Sequence, residues 1–230
     1  MAVVASNTPY FPTPWQVLKG LAELARNGTL IQHVSASLMR VTIGYLAALI
    51  IAIPLGVFMG WFPRVFQAVN PLIQLLRPIS PIAWIPLAIL WFGIGNLSPM
   101  FLIFLSSFFP LVVGTASGVQ AVERQYTRAA VNFGITGHRL LRQVVVPAAL
   151  PQILVGMRLG LGIAWLVVVA AEMIAIDSGL GYLIIDSRNA GNRYDLVVAA
   201  MVIIGITGFL LDNLMRRLER LDEVRWRYAR

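Results

Sequence analysis

Long apolar stretches separated by short polar intervals run through this chain. The five apolar stretches are 31–61, 70–96, 100–119, 154–176 and 196–214. Within the first, residues 41–59 carry no charge and would cover about 28 Å as an α-helix, close to the thickness of a bilayer's hydrocarbon core. The pattern therefore predicts an all-α membrane protein with about five transmembrane helices.

Prolines interrupt the second apolar stretch, at positions 71, 78, 81 and 86. Proline lacks a backbone N–H and breaks a helix interior, and irregular backbone at membrane depth is tolerated only where protein or a water-filled cavity covers it. One interpretation is a broken helix that lines or gates a pathway, with Pro78, Pro81, Trp84 and Pro86 as its residues. The other is a loop followed by a helix from about Ile82, with Trp84 and Trp91 toward its two ends.

The N-terminal part has a different pattern. Residues 1–14 are proline-rich, show no helical periodicity and lack the basic and apolar regions of a signal peptide. Residues 15–25 have an apolar face composed of Trp15, Leu18, Leu21, Ala22 and Ala25. This pattern predicts an amphipathic helix lying at the membrane surface, anchored by Trp15 and ended by Asn27 and Gly28.

A long polar interval follows the third stretch, at 123–147. Residues 125–133 have a helical pattern, Gly134 breaks it, and a second helical pattern at 137–145 ends before Pro147. The interval is basic, with Arg124, Arg128, His138, Arg139 and Arg142 against the single acid Glu123. A basic pair of short helices between two spans is typical of the cytoplasmic side, where it can protrude and meet a soluble partner.

Composition excludes several classes of function. Of the 230 residues, 58% are hydrophobic and only 12% charged, about half the charged fraction of a soluble domain. The net charge of +8 comes from arginine, since Lys19 is the only lysine. The arginines cluster at the ends of the spans, which is typical of cytoplasmic loops of membrane proteins and not of a nucleic-acid-binding surface. No Gly-x-x-x-x-Gly-Lys sequence occurs, so any ATP must be bound by a separate polypeptide. Cysteine is absent, which excludes disulfides and thiolate metal sites.

The basic residues also predict an orientation. The arginine-rich tail is expected inside the cell. Counting back over five spans then places the interval 123–147 and the loop around Arg64 inside as well. Residues 177–195 and the N-terminus fall outside. The predicted organisation is a tail and surface helix at 1–34, a transmembrane domain at 35–215 and a basic cytoplasmic tail at 216–230.

Small residues in the polar interval carry a family resemblance. The interval contains Ala129, Ala130 and Gly134 and, after nine intervening residues, the sequence Val144-x-Val146-Pro147. This pattern resembles the coupling loop of ABC importer permeases. In that family the loop sits in a groove of a separate ATPase subunit. The resemblance implies that the ATPase-coupling residues are Arg128, Ala129, Ala130, Gly134, Gly137 and Pro147. Arg128 departs from the family's usual glutamate, so an acid-mediated contact is not expected there, whereas the geometry set by the small residues is kept.

Four further segments, 75–86, 156–165, 170–173 and 179–182, resemble the nitrate, sulfonate, taurine and bicarbonate branch of these permeases. The resemblance covers nearly the whole chain from Pro12 and implies the type I ABC importer permease fold. The family's usual first helix is expected to be absent here, either because the protein has five spans or because its start is truncated.

The same resemblance implies partners and a mechanism. The chain would be a multi-pass protein of a bacterial inner membrane that pairs with a second copy of itself, two cytoplasmic ATPase subunits and a periplasmic or lipid-anchored binding protein. It would translocate a small anion by alternating access and would be no enzyme. It would bind no cofactor, because the ATPase partner would bind the ATP.

A few charged residues inside or beside the spans are candidates for function. Glu172, an acid embedded in an apolar span, has either a gating or subunit-pairing role or a structural, hydrogen-bonded one. Arg77 and Arg158 suit an anion by sign, but their position near inner span ends favours snorkelling toward the interface. Asp212 is predicted to pair with Arg216, four residues on.

Two other classes of function remain as alternatives. A secondary transporter or channel would need internal repeats and more intramembrane charge than the single embedded acid. An intramembrane enzyme would need reactive groups at membrane depth, and the two histidines, His33 and His138, fall on opposite predicted sides of the membrane. Neither alternative accounts for the basic pair of helices at 123–147.

Overall fold

A computed structural model describes residues 12–189 and 191–219, which form helices joined by short turns. The α-helices are α1 (Pro14–Arg26), α2 (Thr29–Trp61), α3 (Pro63–Leu76), α4 (Ile85–Phe92), α5 (Leu97–Gln120), α6 (Arg124–Asn132), α7 (Gly137–Leu140), α8 (Val146–Ala175), α9 (Leu180–Asn189) and α10 (Tyr194–Glu219). A 3₁₀ turn, Pro81–Trp84, precedes α4, and a π-helical turn, Leu141–Val145, joins α7 to α8. The N-terminal tail up to residue 11 and the arginine-rich end from residue 220 lie outside the described residues.

Among the described residues, four helical segments are long and apolar enough to cross a membrane. They are α2, α5, the run Gly137–Ile174 through α7 and α8, and α10. The bent pair of α3 and Pro81–Phe92 makes a fifth span if it is counted as one. The all-α membrane fold with about five spans, predicted from the apolar stretches, is therefore confirmed.

The second apolar stretch is a broken helix. Only Phe62 separates α2 from α3, and Pro63 is the first residue of α3, so the predicted basic loop around Arg64 is wrong. Proline suits this first position because its missing N–H would have no intrahelical partner there. The chain bends by 83° between α3 and Pro81–Phe92. Residues 77–80 between the two helical parts are not helical, and helical structure resumes at Pro81, close to the start near Ile82 that the loop interpretation predicted. That interpretation is wrong only for the residues before the break, since Pro71 lies inside α3 and not in a loop.

The two tryptophans of this stretch lie close together. The ring centroids of Trp84 and Trp91 are 6.5 Å apart, so their predicted placement toward opposite ends of a span is also wrong. Seven residues of helix are about two full turns, which returns the second side chain to the face of the first. Trp84 packs at the edge of a core formed by Ile85, Ala88, Leu102, Val167 and Ala171.

The fourth span begins earlier than the apolar pattern suggested. Helix α8 starts at Val146, not near residue 154, and it contains Pro151. The π-helical turn just before it explains how the helix continues through Pro147. There the N–H of Val146 bonds to the carbonyl of Leu141, five residues back. This wider turn relieves the clash that the Pro147 ring would otherwise make with the preceding turn.

The polar segment between the last two spans contains a helix that the sequence pattern did not reveal. Helix α9 buries Leu180, Gly181, Leu183, Ile184 and Ser187 on one side. Asp and Arg residues of α9 lie among these apolar positions. The sequence therefore shows neither a clear helical periodicity nor a long apolar run at this helix. Its position depends on contacts with distant parts of the chain.

Helix α1 confirms the predicted amphipathic helix. The side chain of Gln16 bonds to the backbone N–H of Thr13, and the hydroxyl of Thr13 accepts from the N–H of Gln16, which caps the helix start. Its buried residues are Val17, Gly20 and Leu24. Trp15 and Leu18, from the predicted apolar face, are exposed, at 66% and 56%. The location of this exposed face at a membrane surface stays a prediction.

Two compact units divide the chain. Among the described residues, the first combines those up to Gly44 with those of Ile82–Ile103 and Trp165–Leu210. Within it, a Cβ added to Gly44 would lie 2.6 Å from the carbonyl oxygen of Met100, so α2 and α5 approach backbone to backbone. Small residues such as glycine allow this close approach of two membrane helices.

The second unit combines Tyr45–Pro81, Phe104–Ala164 and the described residues from Leu211 to Glu219. Gly56 and Gly60 of α2 face Thr115 and Val119 of α5 there, each with only 2.6 Å between a built Cβ and the neighbouring Cβ. Helix α2 runs unbroken from Thr29, so the predicted domain boundary at residues 34 and 35 falls inside it.

Candidate functional site

Helix α6 ends in a glycine turn that matches the predicted break. Gly134 has φ +79°, and its N–H bonds to the carbonyl of Val131 at 2.9 Å while the N–H of Ile135 bonds to that of Ala130 at 3.0 Å. These two bonds form a Schellman motif, which requires a left-handed residue after the helix. A Cβ on Gly134 would meet nothing within 4 Å, so backbone conformation and not space requires glycine here. Gly137, with φ +59°, begins α7 in the same left-handed region.

The alanine pair of α6 divides between two surfaces. Ala130 is buried at 7% exposure against a core of Val119, Leu140, Val145, Ala149 and Ile153 in the second unit. Ala129 and Arg128 are exposed, and Pro147 is exposed at the start of α8. Ala130 therefore fixes α6 to its own protein, whereas Ala129 is available to a partner. The prediction that both alanines allow a close approach to a partner remains untested.

Phe133 is the residue of this region that sequence reasoning missed. Its side chain is 86% exposed at the C-cap of α6, directly before the turn at Gly134. Val131, also on α6, is 47% exposed. A large aromatic residue beside a turn glycine is the signal that could have identified it, because burial of such a ring contributes strongly to protein interfaces. Together with Ala129 and Arg128, these residues form the exposed α6 surface.

Glu172 is fully buried in a polar network of the first unit. Its Oε1 accepts a hydrogen bond from Nη1 of Arg40 at 2.7 Å, and its Oε2 accepts from the hydroxyl of Ser37 at 2.8 Å and the N–H of Gly181 at 3.1 Å. Glu172, Arg40 and Ser37 are 0%, 1% and 0% exposed, respectively. The acid predicted to be either gating or structural is thus completely hydrogen-bonded, as a buried charge must be.

Arg40 uses the rest of its guanidinium on two other segments. Its Nε donates to Oδ1 of Asn96 at 2.8 Å, and its Nη1 and Nη2 donate to the carbonyl and hydroxyl oxygens of Ser178 at 2.9 and 2.5 Å. The sequence offered one indication of this pairing. The predicted topology puts Arg40 and Glu172 near the outer ends of their spans. Opposite charges at the same membrane depth commonly form an ion pair.

A second charged cluster lies in the second unit, where α8 and α10 meet. Nε of Arg158 donates to Oδ1 of Asp212 at 2.5 Å, and Nη2 to Oδ2 at 3.2 Å. Glu219 lies 3.5 Å from the same guanidinium, and Arg216 bonds to Asp212 at 2.9 Å. The predicted pairing of Asp212 with Arg216 is confirmed. Arg158 is engaged by two acids, and its predicted snorkelling toward the interface stays a prediction.

The proline-rich break exposes much of its surface. Pro78 and Pro86 are exposed, and Pro81 and Trp84 are partly buried. Ile79 and Ile82 are exposed as well, at 42% and 47%. Backbone without regular helical bonding cannot face lipid, so this part of the chain must face protein or water if it lies within the membrane.

A salt bridge outside the spans joins α1 to the start of α10. Arg193 bonds to Oε2 of Glu23 at 2.7 Å and to Oδ2 of Asp195 at 2.9 Å. Hydrogen bonds to Asp195 and Glu23 raise the pKa of Arg193 above its ordinary value. A Cβ on Gly20 would lie 3.1 Å from Leu196, so α1 also packs closely on α10.

Comparison with known proteins gives a consistent result. The family model of the binding-protein-dependent transport system inner membrane component matches residues 52–221. The taurine transport system permease protein TauC of Escherichia coli is 40% identical over 218 residues, which cover 92% of this chain and 78% of TauC. The nitrate import permease protein NrtB of Synechocystis is 34% identical over 219 residues, which cover 91% of this chain and 79% of NrtB.

A solved structure has the same fold. The inward-facing methionine ABC transporter MetNI contains a chain that superposes with a TM-score of 0.73 at 16% identity, over 84% of this chain and 95% of that one. The identity is low, so this likeness shows the fold alone. It agrees with the type I importer fold that the sequence resemblance implied.

Proposed function

Since this chain belongs to the family of binding-protein-dependent transport system inner membrane components, the permease subunits of ABC importers, we propose that it forms the path for a small oxyanion across a cytoplasmic membrane. The proposed substrate class is that of taurine and other sulfonates, nitrate or bicarbonate, and the relatives TauC and NrtB, named for taurine transport and nitrate import, support two of these anions. Transport is by alternating access. This chain performs no covalent chemistry and has no P-loop, so a partner subunit binds and hydrolyses ATP.

The observation that carries the proposal is the exposed α6 surface. A short helix held to its own core by Ala130, and ended by a Schellman turn at Gly134, presents Phe133 outward at 86% exposure. Such a rigid, partly apolar projection suits a groove on a soluble partner. In this proposal, Arg128 and Ala129 lie against the ATPase, and Gly134, Gly137 and Pro147 shape the turns that support them.

Arg128 gives the contact a particular charge. The family's usual glutamate at this position is replaced by a guanidinium, so the matching surface of the ATPase is expected to offer an acid or a helix C-terminus. Correct pairing would then depend on a charge of opposite sign from that in most relatives. This predicts that the chain discriminates against ATPase subunits of other importers.

The proposed orientation places the α6 surface and the C-terminus in the cytoplasm. Helix α8 then runs outward from the coupling region, and Glu172 lies toward the external side, where a loaded binding protein would dock. A second copy of this chain completes the path. The proline-rich break supports that arrangement, because its exposed irregular backbone needs a protein or aqueous neighbour at membrane depth.

The first test is isolation of the intact assembly. The subunit would be purified in mild detergent from its native membrane, and the co-purifying chains identified by mass spectrometry. A P-loop ATPase in equal amount supports the proposal. Recovery of this chain alone, under conditions that preserve other complexes, would favour a secondary transporter or channel.

The second test is transport by that assembly in proteoliposomes. Uptake of labelled taurine, nitrate and bicarbonate would be measured with the co-purified binding protein outside and ATP inside. Gly134→Trp is expected to abolish ATP-dependent uptake and leave membrane insertion intact, because left-handed backbone disfavours tryptophan and the large ring would stand beside the α6 surface. Normal uptake by this variant would contradict the role given to the α6 surface.

A further inference from the structure

Side chains from other helices cap the start of α9. The N–H of Gly179 bonds to Nδ1 of His33 at 3.0 Å, that of Leu180 to the hydroxyl of Ser37 at 2.9 Å, and that of Gly181 to Glu172 at 3.1 Å. A helix start leaves such N–H groups without intrahelical partners, and local capping residues usually satisfy them. Here α2 and α8 provide the caps.

Steric contacts hold the same segment against α8. Gly179 has φ +106°, and a Cβ built on it would overlap the carboxylate of Glu172. A Cβ on Gly181 would overlap the carbonyl oxygen of Val169. Both glycines are therefore required by close approach, and the segment has no room to shift on α8.

Arg40 joins this cap to the rest of the first unit. One guanidinium contacts the carboxylate of Glu172, both oxygens of Ser178 and the side chain of Asn96, which precedes α5. It thereby joins three segments of the chain to α2 with a single buried cation. The negative charge of Glu172 also lies at the positive end of the α9 dipole, which favours the same arrangement.

We propose that Arg40 and Glu172 are positioning residues for transport, which hold α9 as a fixed part of the bundle so that a loaded binding protein can stimulate the ATPase. The inference rests on the proposed function and assigns the pair a task within it. The pair is a clamp and not a gate. Separating two charges that are fully buried and hydrogen-bonded would leave both without solvation, so a transport cycle is expected to preserve their contact.

The local part of the inference can be tested in the permease alone. The chain contains no cysteine, so a spin label can be placed at the exposed α9 position Arg188→Cys, with Ala22→Cys on α1 as the matched position. Arg40→Gln and Glu172→Gln are expected to make the α9 label mobile and leave the α1 label unchanged. An immobile α9 label in both variants would overturn the inference.

The functional part uses the complete importer with its ATPase and binding protein. Arg40→Gln is expected to retain basal ATP hydrolysis and to lose about tenfold of the stimulation by loaded binding protein, with a parallel loss of uptake. Arg40→Lys keeps the positive charge but cannot make all the hydrogen bonds of the guanidinium. It is therefore expected to recover part of the stimulation of ATP hydrolysis and part of the uptake. Arg193→Gln, which breaks the exposed pair with Glu23, is the control and is expected to stay within about twofold of the unchanged protein.

A double variant separates positioning from stability. Arg40→Met with Glu172→Leu removes both buried charges together, which preserves stability better than removing one. Assembly with the ATPase at normal yield, together with lost stimulation, would support the inference. Normal uptake by an assembled double variant would overturn it. If the unchanged complex transports none of the anions, the proposed function fails, whereas the spin-label result still decides whether the pair positions α9.

Discussion

Gly114 and Gly156 meet at the crossing of α5 and α8. A Cβ built on Gly114 would lie 3.1 Å from Cα of Gly156, which is tighter than nine in ten real Cβ contacts. Gly118 and Gly160 lie one turn further along the same faces, near Gln152 and Leu111. The two helices therefore approach at a distance that only small residues allow, as in membrane helix pairs with small-residue motifs.

Enlarging Gly114 should separate these two helices. Gly114→Leu is expected to lower the free energy of unfolding by about 1–3 kcal/mol, the usual effect of overpacking a tight contact. The measurement is thermal unfolding of the purified subunit in detergent. Gly162→Leu on α8 is the matched control, since nothing lies within 4 Å of its Cβ position. Equal effects of the two substitutions would contradict the proposed close crossing.

The ion pair between Arg158 and Asp212 should contribute little to stability by itself. Their side chains are 32% and 35% exposed, so solvent and headgroups screen the interaction. A double-mutant cycle with Arg158→Gln and Asp212→Asn is expected to give a coupling free energy of about 0.2–1 kcal/mol, although the contact is short and bidentate. The coupling should fall as salt is added. A salt-independent coupling well above this range would show that the pair is buried in the assembled transporter.

Much of this fold follows from local sequence pattern. Apolar runs identified the spans because a helix in lipid needs a continuous apolar stretch, and Gly134 identified the end of α6 because few other residues adopt its conformation. Both signals lie within the element they describe. The boundaries that failed, at Arg64 and at the start of α8, depended on proline. Proline can begin a helix or follow a π-helical turn as well as end a span.

The polar network was beyond such reasoning for a different reason. Arg40 and Glu172 are 132 positions apart in the sequence, and α9 is capped by residues of α2 and α8 rather than by its own neighbours. Nothing in the composition of residues 177–195 indicates these partners. The embedded acid could be recognised as exceptional, and the predicted topology put Arg40 near the same side of the membrane, but their contact depends on how the helices pack together.

Phe133 offers a test of the exposed α6 surface. Phe133→Ser removes an aromatic ring that is 86% exposed, so folding and membrane insertion should be unaffected. Association with the ATPase should weaken by about 2 kcal/mol or more if the ring fills a groove in the partner. The measurement is the amount of ATPase retained on the immobilised subunit as its concentration is varied. Ile94→Ser, at 83% exposure outside α6, is the control. Unchanged retention for Phe133→Ser would exclude the ring from the interface.

The turn at Gly134 allows a conformational effect to be separated from a steric one. Its φ of +79° disfavours an ordinary side chain by about 1–2 kcal/mol, although space for a Cβ is open. Gly134→Val should therefore impair the turn, whereas Gly134→Asn, similar in size but tolerant of left-handed backbone, should largely preserve it. The expected order of ATP-dependent uptake is glycine, then asparagine, then valine. Since the two variants present similar volume to the ATPase, equal loss by both would mean that the partner surface, and not the backbone conformation, requires glycine at this position.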